Sequence, residues 1–197
     1  MGKSGKEPVL VLRDLETQEY LGGSLAIARH LSSFCNDVGV LSFLGDNNEY
    51  KDFIEKKIEK NISLNFLNKS NSPTIVKRRF VDSIDRKKIL GVYSINDNNL
   101  DKSDEIKFIE SFDKLSKKYD LIIVSDYGHG IITPKIAENI SKSKKFVSLN
   151  AQVNAANIGT HNIRKYNDIN CLIINANEPV SYTHLRAHET LMNLVCR

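Results

Sequence analysis

Short runs of apolar residues alternate with amphipathic segments along most of the chain. The runs are rich in Val, Ile and Leu and stop at polar or Gly-containing turns, which is typical of strands buried on both faces. The segments between them repeat their apolar positions at helical spacing. This pattern predicts strands at 8–12, 38–44, 62–66, 121–124, 146–149 and 171–174, and helices at 24–34, 49–60, 103–117 and 134–141. The alternation favours an α/β fold with a parallel sheet and crossover helices.

Two further strands, predicted at 74–81 and 88–93, interrupt this alternation. They flank a polar turn at 82–86 and therefore predict an antiparallel pair inserted in an α/β chain. Residues 19–21 are expected to pair back on the strand at 8–12 as a second small hairpin.

The strand at 74–81 carries three consecutive basic residues, Lys77, Arg78 and Arg79. Successive side chains of a strand point to opposite faces, so at most one or two of the three can face a common anion. One interpretation is a sheet that reaches over a phosphorylated ligand. The other is an edge strand that its charges protect from further pairing.

Polar clusters follow four of the predicted strands, at 45–46, 125–126, 150–157 and 175–178. Ligands of open α/β sheets bind beyond the carboxyl ends of the strands, so these clusters predict one small-molecule site on one sheet edge. Asp126 lies there, and Gly128 and Gly130 would let a ligand approach the backbone. The ordinary interpretation is a hydrogen-bonded loop aspartate with two turn glycines.

Composition narrows the class of protein. The 197 residues carry a net charge of +4, and the lysines are scattered over predicted helix faces, which favours solvated faces over a nucleic-acid groove. No apolar run approaches the length of a membrane span, and residues 1–8 do not resemble a signal peptide, so the expected location is the cytoplasm. The three cysteines form no CxxC pair, which argues against a zinc site or a disulfide framework.

The last stretch, 180–197, resembles one reading frame of a sequencing-library adapter followed by its flow-cell adapter. These residues are therefore not expected to contribute to function. The alternative is a natural C-terminal helix in which His184 and His188, four residues apart, could bind a metal. Residues 1–179 are expected to be the functional part.

Five motifs in order resemble the PfkB/ribokinase family of carbohydrate kinases, and within it the heptose-phosphate kinase domain of ADP-heptose synthesis enzymes. The resemblance covers about 7–178. Its motifs are Gly22-Gly23, Leu44-Gly45-Asp46, Ser72-Pro73-Thr74 with Lys77-Arg78, Ser125-Asp126-Tyr127 through Gly130, and Asn177-Glu178.

The resemblance implies a ribokinase-like three-layer α/β/α sheet with a small antiparallel β lid, formed by about 8–21 and 74–93. It implies ATP-dependent phosphorylation of a sugar or sugar phosphate hydroxyl, with Mg²⁺, and a homodimer through the lid. It assigns sugar binding to Gly22, Gly23, Lys77, Arg78, Asp126 and Tyr127, and the phosphate and nucleotide side to Asn177 and Glu178. The family's first strand and its catalytic Gly-Ala-Gly-Asp segment have no counterpart here, so residues 1–179 alone are expected to be inactive.

The chain also departs from the family pattern. Ala26 stands where a helix Asn usually binds sugar, and Asn150-Ala151-Gln152 replaces a common Asp-Pro-Lys. One alternative is therefore a catalytically silent sugar- or nucleotide-binding domain attached to a nucleotidyltransferase. A Rossmann-like oxidoreductase is disfavoured because no GxGxxG follows any predicted strand.

Overall fold

A computed structural model of the chain describes residues 2–3, 10–11, 13–152, 163–174 and 195–196. Its strands are β1 (Gly2–Lys3), β2 (Leu10–Val11), β3 (Val38–Leu44), β4 (Ile62–Asn68), β5 (Val76–Val81), β6 (Lys88–Ser94), β7 (Leu121–Asp126), β8 (Phe146–Ala151), β9 (Cys171–Ile173) and β10 (Val195–Cys196). Its helices are α1 (Ser24–Leu31), α2 (Lys51–Lys57), α3 (Lys102–Leu115) and α4 (Pro134–Ser141), with 3₁₀ turns at Ser116–Lys118 and Ile163–Lys165. The chain is thus a mixed α/β protein.

The starts of α3 and α4 follow from capping side chains that the sequence displays. The Thr133 hydroxyl accepts a hydrogen bond from the Ile136 amide at 3.3 Å, and Pro134 occupies the first helical position of α4. The Asp101 carboxylate caps α3 by accepting from the Asp104 amide at 2.8 Å. These contacts fix where α3 and α4 leave their preceding loops.

The strands form separate small sheets. β3 and β4 pair in parallel, β7, β8 and β9 pair in parallel in that order, and β10 adds an antiparallel edge to β9. β5 and β6 form the predicted antiparallel hairpin, with Lys77 opposite Tyr93. Within the described residues no hydrogen-bonded ladder joins β3 to β7, so the ribokinase-like three-layer sheet stays a prediction.

Two local expectations are corrected. Residues 19–21 are not a strand, and β2 pairs with β1 instead. The strand predicted at 121–124 extends to Asp126, because Ser125 and Asp126 continue the parallel ladder opposite Asn150 and Ala151. Asp126 is therefore the last residue of β7 rather than the first of a loop.

The main hydrophobic core lies between β7 and β8 on one side and α3 and α4 on the other. Its buried members are Leu100, Phe108, Phe112, Val124, Ile136, Ala137, Ile140, Val147, Leu149, Ala151 and Tyr166. The two faces of β3 pack differently, since Val38 and Val40 meet Ala28 of α1 whereas Phe43 stacks on Phe108 of α3 at 5.7 Å between ring centroids. Helices therefore cover both faces of β3.

No helix in the described part of the chain is both long and apolar enough to cross a membrane.

Truncation of Ile136, which is 0% exposed, is expected to lower the free energy of unfolding by about 3 kcal/mol, because it removes buried methyl groups and leaves a cavity. Ile84 is 91% exposed, and Ile84→Ala should change stability by less than about 0.5 kcal/mol. Urea unfolding of both variants measures the difference. Equal effects would contradict the placement of the core.

Candidate functional site

The carboxylate of Asp126 organises the segment that follows β7. It is 3% exposed. Its Oδ1 accepts from the Gly128 amide at 3.0 Å, and its Oδ2 accepts from the Tyr166 hydroxyl and from the Lys165 ammonium, both at 2.7 Å. Charged hydrogen bonds of this kind are shorter and stronger than neutral ones. The carboxylate thus binds its own loop to the 3₁₀ turn Ile163–Lys165.

The loop after β7 turns through two glycines with positive φ, Gly128 at 68° and Gly130 at 73°. A Cβ on Gly130 would lie 2.0 Å from the Asn98 carbonyl oxygen, so only glycine fits this approach. The Gly130 carbonyl in turn accepts from the Leu100 amide at 3.0 Å. The loop after β7 is therefore packed directly against the segment that follows β6.

A buried lysine ties these two segments together. Lys69, just after β4, is 7% exposed, and its ammonium donates to the carbonyls of Asn96, Asn98 and His129 at 2.6, 2.7 and 3.2 Å. Burial lowers the pKa of Lys69, and the nearby charge of Asp97 opposes that shift. Three carbonyl oxygens replace the water that the ammonium has lost.

His129 is 7% exposed and lies between a carboxylate and a second lysine. Its Nδ1 is 2.7 Å from Asp97 Oδ1, and its Nε2 is 3.0 Å from Lys77 Nζ. Lys77 belongs to β5, Asp97 follows β6 and His129 follows β7. Three segments that are distant in sequence are thus linked by one series of polar side-chain contacts.

Aromatic rings surround the Lys77 ammonium. It lies 5.6 Å from the ring centroid of Tyr93 and 5.9 Å from that of Tyr127, within the range of cation–π attraction. The Tyr127 ring also stacks on His129 at 6.5 Å. Desolvation lowers the pKa of Lys77, and the positive charge of Arg79 acts in the same direction.

Gly23, the second glycine of the pair before α1, lies beside the ring of Tyr127. Gly23 has a φ of 56°, and a Cβ there would be 3.7 Å from Cε2 of Tyr127. The Gly23 carbonyl accepts from the Ile27 amide and thereby begins α1. Gly23, Tyr127, Lys77 and His129 therefore surround one region at the end of β7, which we call the Tyr127 site.

A second turn, at Gly45-Asp46, is built by the start of the hairpin segment. The Gly45 amide donates to the Thr74 hydroxyl at 2.9 Å, and the Asp46 amide donates to the Ser72 carbonyl at 3.0 Å. A Cβ on Gly45 would be 2.3 Å from the Thr74 nitrogen, which excludes other residues. Two of the motifs that the sequence analysis singled out are thus in direct contact.

The predicted site residues are distributed unevenly. Gly23, Lys77 and Tyr127 meet, Gly22 is exposed next to them, and Asp126 lies beneath the loop. Arg78 follows Lys77 in β5, so it points to the opposite face of the hairpin, whereas Arg79 shares the face of Lys77. Asn177 and Glu178 lie outside the described residues.

Lys69, Asp97 and His129 were not predicted as site residues from the sequence. His129 sits in a motif that was noticed for its glycines, whereas Lys69 and Asp97 lie in polar turns with no distinguishing pattern. Their roles depend on contacts across 27 to 60 residues of sequence, which no local pattern reveals.

Among the residues that the structure describes, no group of three or more His, Cys, Asp or Glu side chains is placed to hold a metal ion. The Tyr127 site instead presents positive charge, from Lys77 and Arg79, beside aromatic rings. Its chemistry suits an anionic ligand with a polar body.

No family model matches the chain. The chain is 33% identical over 141 residues to the bifunctional protein HldE of Aliarcobacter butzleri, which covers 70% of this chain. It is 26% identical over 137 residues to the HldE protein of Nitratiruptor sp. and 28% identical over 146 residues to that of Campylobacter jejuni strain RM1221.

These matches cover only part of each relative. The chain spans 29% of the length of the first two proteins and 30% of the third. The chain is therefore homologous to one region of HldE proteins.

Gly130→Ala is expected to lower the free energy of unfolding by about 2–4 kcal/mol, because the new methyl group meets the Asn98 carbonyl and the backbone φ is positive. Gly22→Ala is the control, since a Cβ there meets nothing within 4 Å, and it should cost less than about 0.5 kcal/mol. Thermal unfolding of both variants provides the comparison. A Gly130→Ala protein as stable as the control would refute the tight packing of the two loops.

The pH dependence of stability should report on His129. Desolvation holds its pKa below the ordinary value of 6.5; the charges of Lys77 and Lys69 add to this effect, and Asp97 opposes it. The folded protein thus binds fewer protons here than the unfolded chain. The contribution of His129 is fully present above the unfolded pKa and is lost as the pH falls through the folded pKa.

Between about pH 7.5 and pH 5, the wild type should therefore lose more unfolding free energy than His129→Gln does. His30→Gln, which removes an exposed histidine of α1, should behave like the wild type. Urea denaturation at both pH values measures this. Identical pH dependence in His129→Gln and the wild type would show that the folded pKa of His129 is not depressed.

Proposed function

We propose that this chain is part of a kinase that transfers a phosphoryl group from ATP to a hydroxyl of a heptose phosphate or a similar sugar phosphate. The observation that carries the proposal is the homology to HldE proteins over about 70% of the chain, which supports a heptose-kinase-like region. The order of the PfkB-like motifs supports the same assignment.

The geometry of the Tyr127 site agrees with such a substrate. A sugar offers hydroxyl groups and an apolar ring face, and its phosphate offers negative charge. Tyr127 provides an aromatic face, Gly23 leaves the backbone accessible, and Lys77 provides an ammonium group. In this proposal the described residues bind and orient the sugar phosphate, which contributes to rate by positioning the reacting hydroxyl.

Phosphoryl transfer also needs charge stabilisation around the phosphates and a base on the attacking hydroxyl. The carboxylate oxygens of Asp126 are occupied by Gly128, Tyr166 and Lys165, so we assign this residue to the organisation of the loop. Asn177 and Glu178 are the proposed residues on the side of the phosphates and Mg²⁺. When bound, Mg²⁺ would neutralise charge on the transferring phosphates.

The hairpin β5–β6 is the proposed lid and dimer surface, and the proposed location is the cytoplasm. Several large apolar side chains of the hairpin are exposed, including Phe80 at 40%, Leu90 at 51% and Val92 at 47%. By the strand register these side chains share the face of Arg78, which points away from the Tyr127 site, so this surface is typical of contact with a partner chain.

The second candidate is a sugar-binding domain without kinase activity. It is favoured by Asn150, which stands where the family commonly has an aspartate and whose amide donates to the Ile173 carbonyl at 2.9 Å. That amide serves the sheet and adds no charge to the site.

A coupled ADP-release assay on the protein expressed from the full gene tests the proposal. We expect turnover of ATP that depends on a heptose phosphate, and Lys77→Met should lower kcat/KM at least about tenfold because it removes a charged contact. Lys88→Met, in the same hairpin and exposed, should retain wild-type activity.

Two outcomes of that assay would contradict the kinase proposal. Binding of the heptose phosphate without any ADP release would favour the silent binding domain. Turnover of ATP that is indifferent to any sugar phosphate would exclude both candidates.

A further inference from the structure

Lys77, His129 and Asp97 form a continuous hydrogen-bonded chain at the Tyr127 site. The two links measure 3.0 Å between Lys77 Nζ and His129 Nε2, and 2.7 Å between His129 Nδ1 and Asp97 Oδ1. His129 is buried at 7%, whereas the Asp97 side chain is 41% exposed. These hydrogen bonds therefore link the partly solvated carboxylate of Asp97, through the buried ring of His129, to the ammonium of Lys77 at the site.

The chemistry of the two ends fixes the proton on the ring. An ionised carboxylate can only accept, so His129 Nδ1 carries the hydrogen and donates to Asp97. In the neutral ring Nε2 is then an acceptor, and an ammonium group can only donate. One tautomer thus satisfies both contacts, with Lys77 donating to His129.

This arrangement leaves hydrogen-bonding capacity on Lys77. Its ammonium has three N–H groups, and within the described part of the chain one of them is used by His129. The rings of Tyr93 and Tyr127 flank the ammonium and restrict its movement. A charged donor that is held in place on a partly desolvated site binds an anion more strongly than a freely moving surface lysine.

We propose that His129, oriented by Asp97, is a positioning residue that holds the Lys77 ammonium for the phosphate group of a sugar phosphate. The proposal rests on the function proposed above and names the group of the substrate that meets this site. Arg79, on the same face of β5, adds positive charge, whereas Arg78 points away.

A purely structural role for His129 predicts a different behaviour. A buried histidine that only supports the fold would affect phosphorylated and unphosphorylated sugars equally. If His129 is a positioning residue, its loss affects only the contact with the phosphate, because His129 determines where the Lys77 ammonium lies. The ratio of the two affinities therefore separates the two roles.

The test measures affinities by titration calorimetry on the protein expressed from the full gene, with a heptose phosphate and with the same heptose lacking the phosphate. Lys77→Met and His129→Phe should each weaken binding of the phosphorylated sugar about tenfold, as expected for loss of one charged hydrogen bond. Binding of the plain heptose should change less than about twofold.

A conservative variant of His129 and a double variant with Lys77 test the same proposal independently. His129→Gln should recover most of the affinity, because its amide oxygen can accept from Lys77 in place of Nε2. The double variant Lys77→Met/His129→Phe should be no weaker than Lys77→Met alone, since both changes remove one contact. Lys88→Met is the matched control for loss of charge in the hairpin and should bind both sugars as the wild type does.

Three binding results would overturn the proposal: equal losses for the two sugars, additive losses in the double variant, or no binding of either sugar by the wild type. Long-range ¹H–¹⁵N spectra of the wild type provide a test that does not depend on variant folding. We expect a neutral His129 ring protonated at Nδ1. A neutral ring protonated at Nε2 could not accept from Lys77 and would overturn the proposal. Loss of ATP turnover alone would reject the kinase assignment and leave the phosphate contact standing.

Discussion

The candidate site depends on the burial of one ammonium group, that of Lys69. Transfer of a charge out of water is costly unless hydrogen bonds replace the lost hydration, and here three backbone carbonyls do so. Two of those carbonyls belong to the segment after β6 and one to the loop after β7. Because hydrogen bonds to charged groups contribute about 1.5–3 kcal/mol each, Lys69 holds Asp97 and His129 in neighbouring positions. The meeting of these two side chains follows from that constraint.

A second buried charge, the carboxylate of Asp126, also stabilises the loop after β7. The Asp126 carboxylate draws Lys165 and Tyr166 towards the end of β7, while the positive φ of Gly130 lets the chain pass close to Asn98. Rigid support of this kind matters for a binding site, because small displacements of a charged group weaken its contacts with a ligand. Lys77 of the hairpin β5–β6 contacts Tyr127 and His129 of this supported loop.

The sequence predicted the elements better than their connections. The bounds of β3 and α4 were predicted correctly, since a mostly apolar run that stops at Gly45-Asp46 and a Thr-Pro cap are local signals. The hairpin 74–93 was also confirmed. The pairing of 19–21 was wrong, since these residues form no strand and β2 pairs with β1. The sequence also singled out Gly23, Lys77 and Tyr127, which the structure brings together and whose role in binding stays a prediction. Asp97 and Lys69 act through contacts distant in sequence and carry no local signal.

The central claim is that a sugar phosphate binds at the Tyr127 site. Amide chemical-shift mapping of ¹⁵N-labelled protein, titrated with a heptose phosphate, tests it most directly. The account predicts that the largest shift changes occur at Gly23, Lys77, Tyr127 and His129, with little change in α2 or at the tip of the hairpin. Saturable changes confined to another part of the chain, with these four amides unmoved, would contradict it.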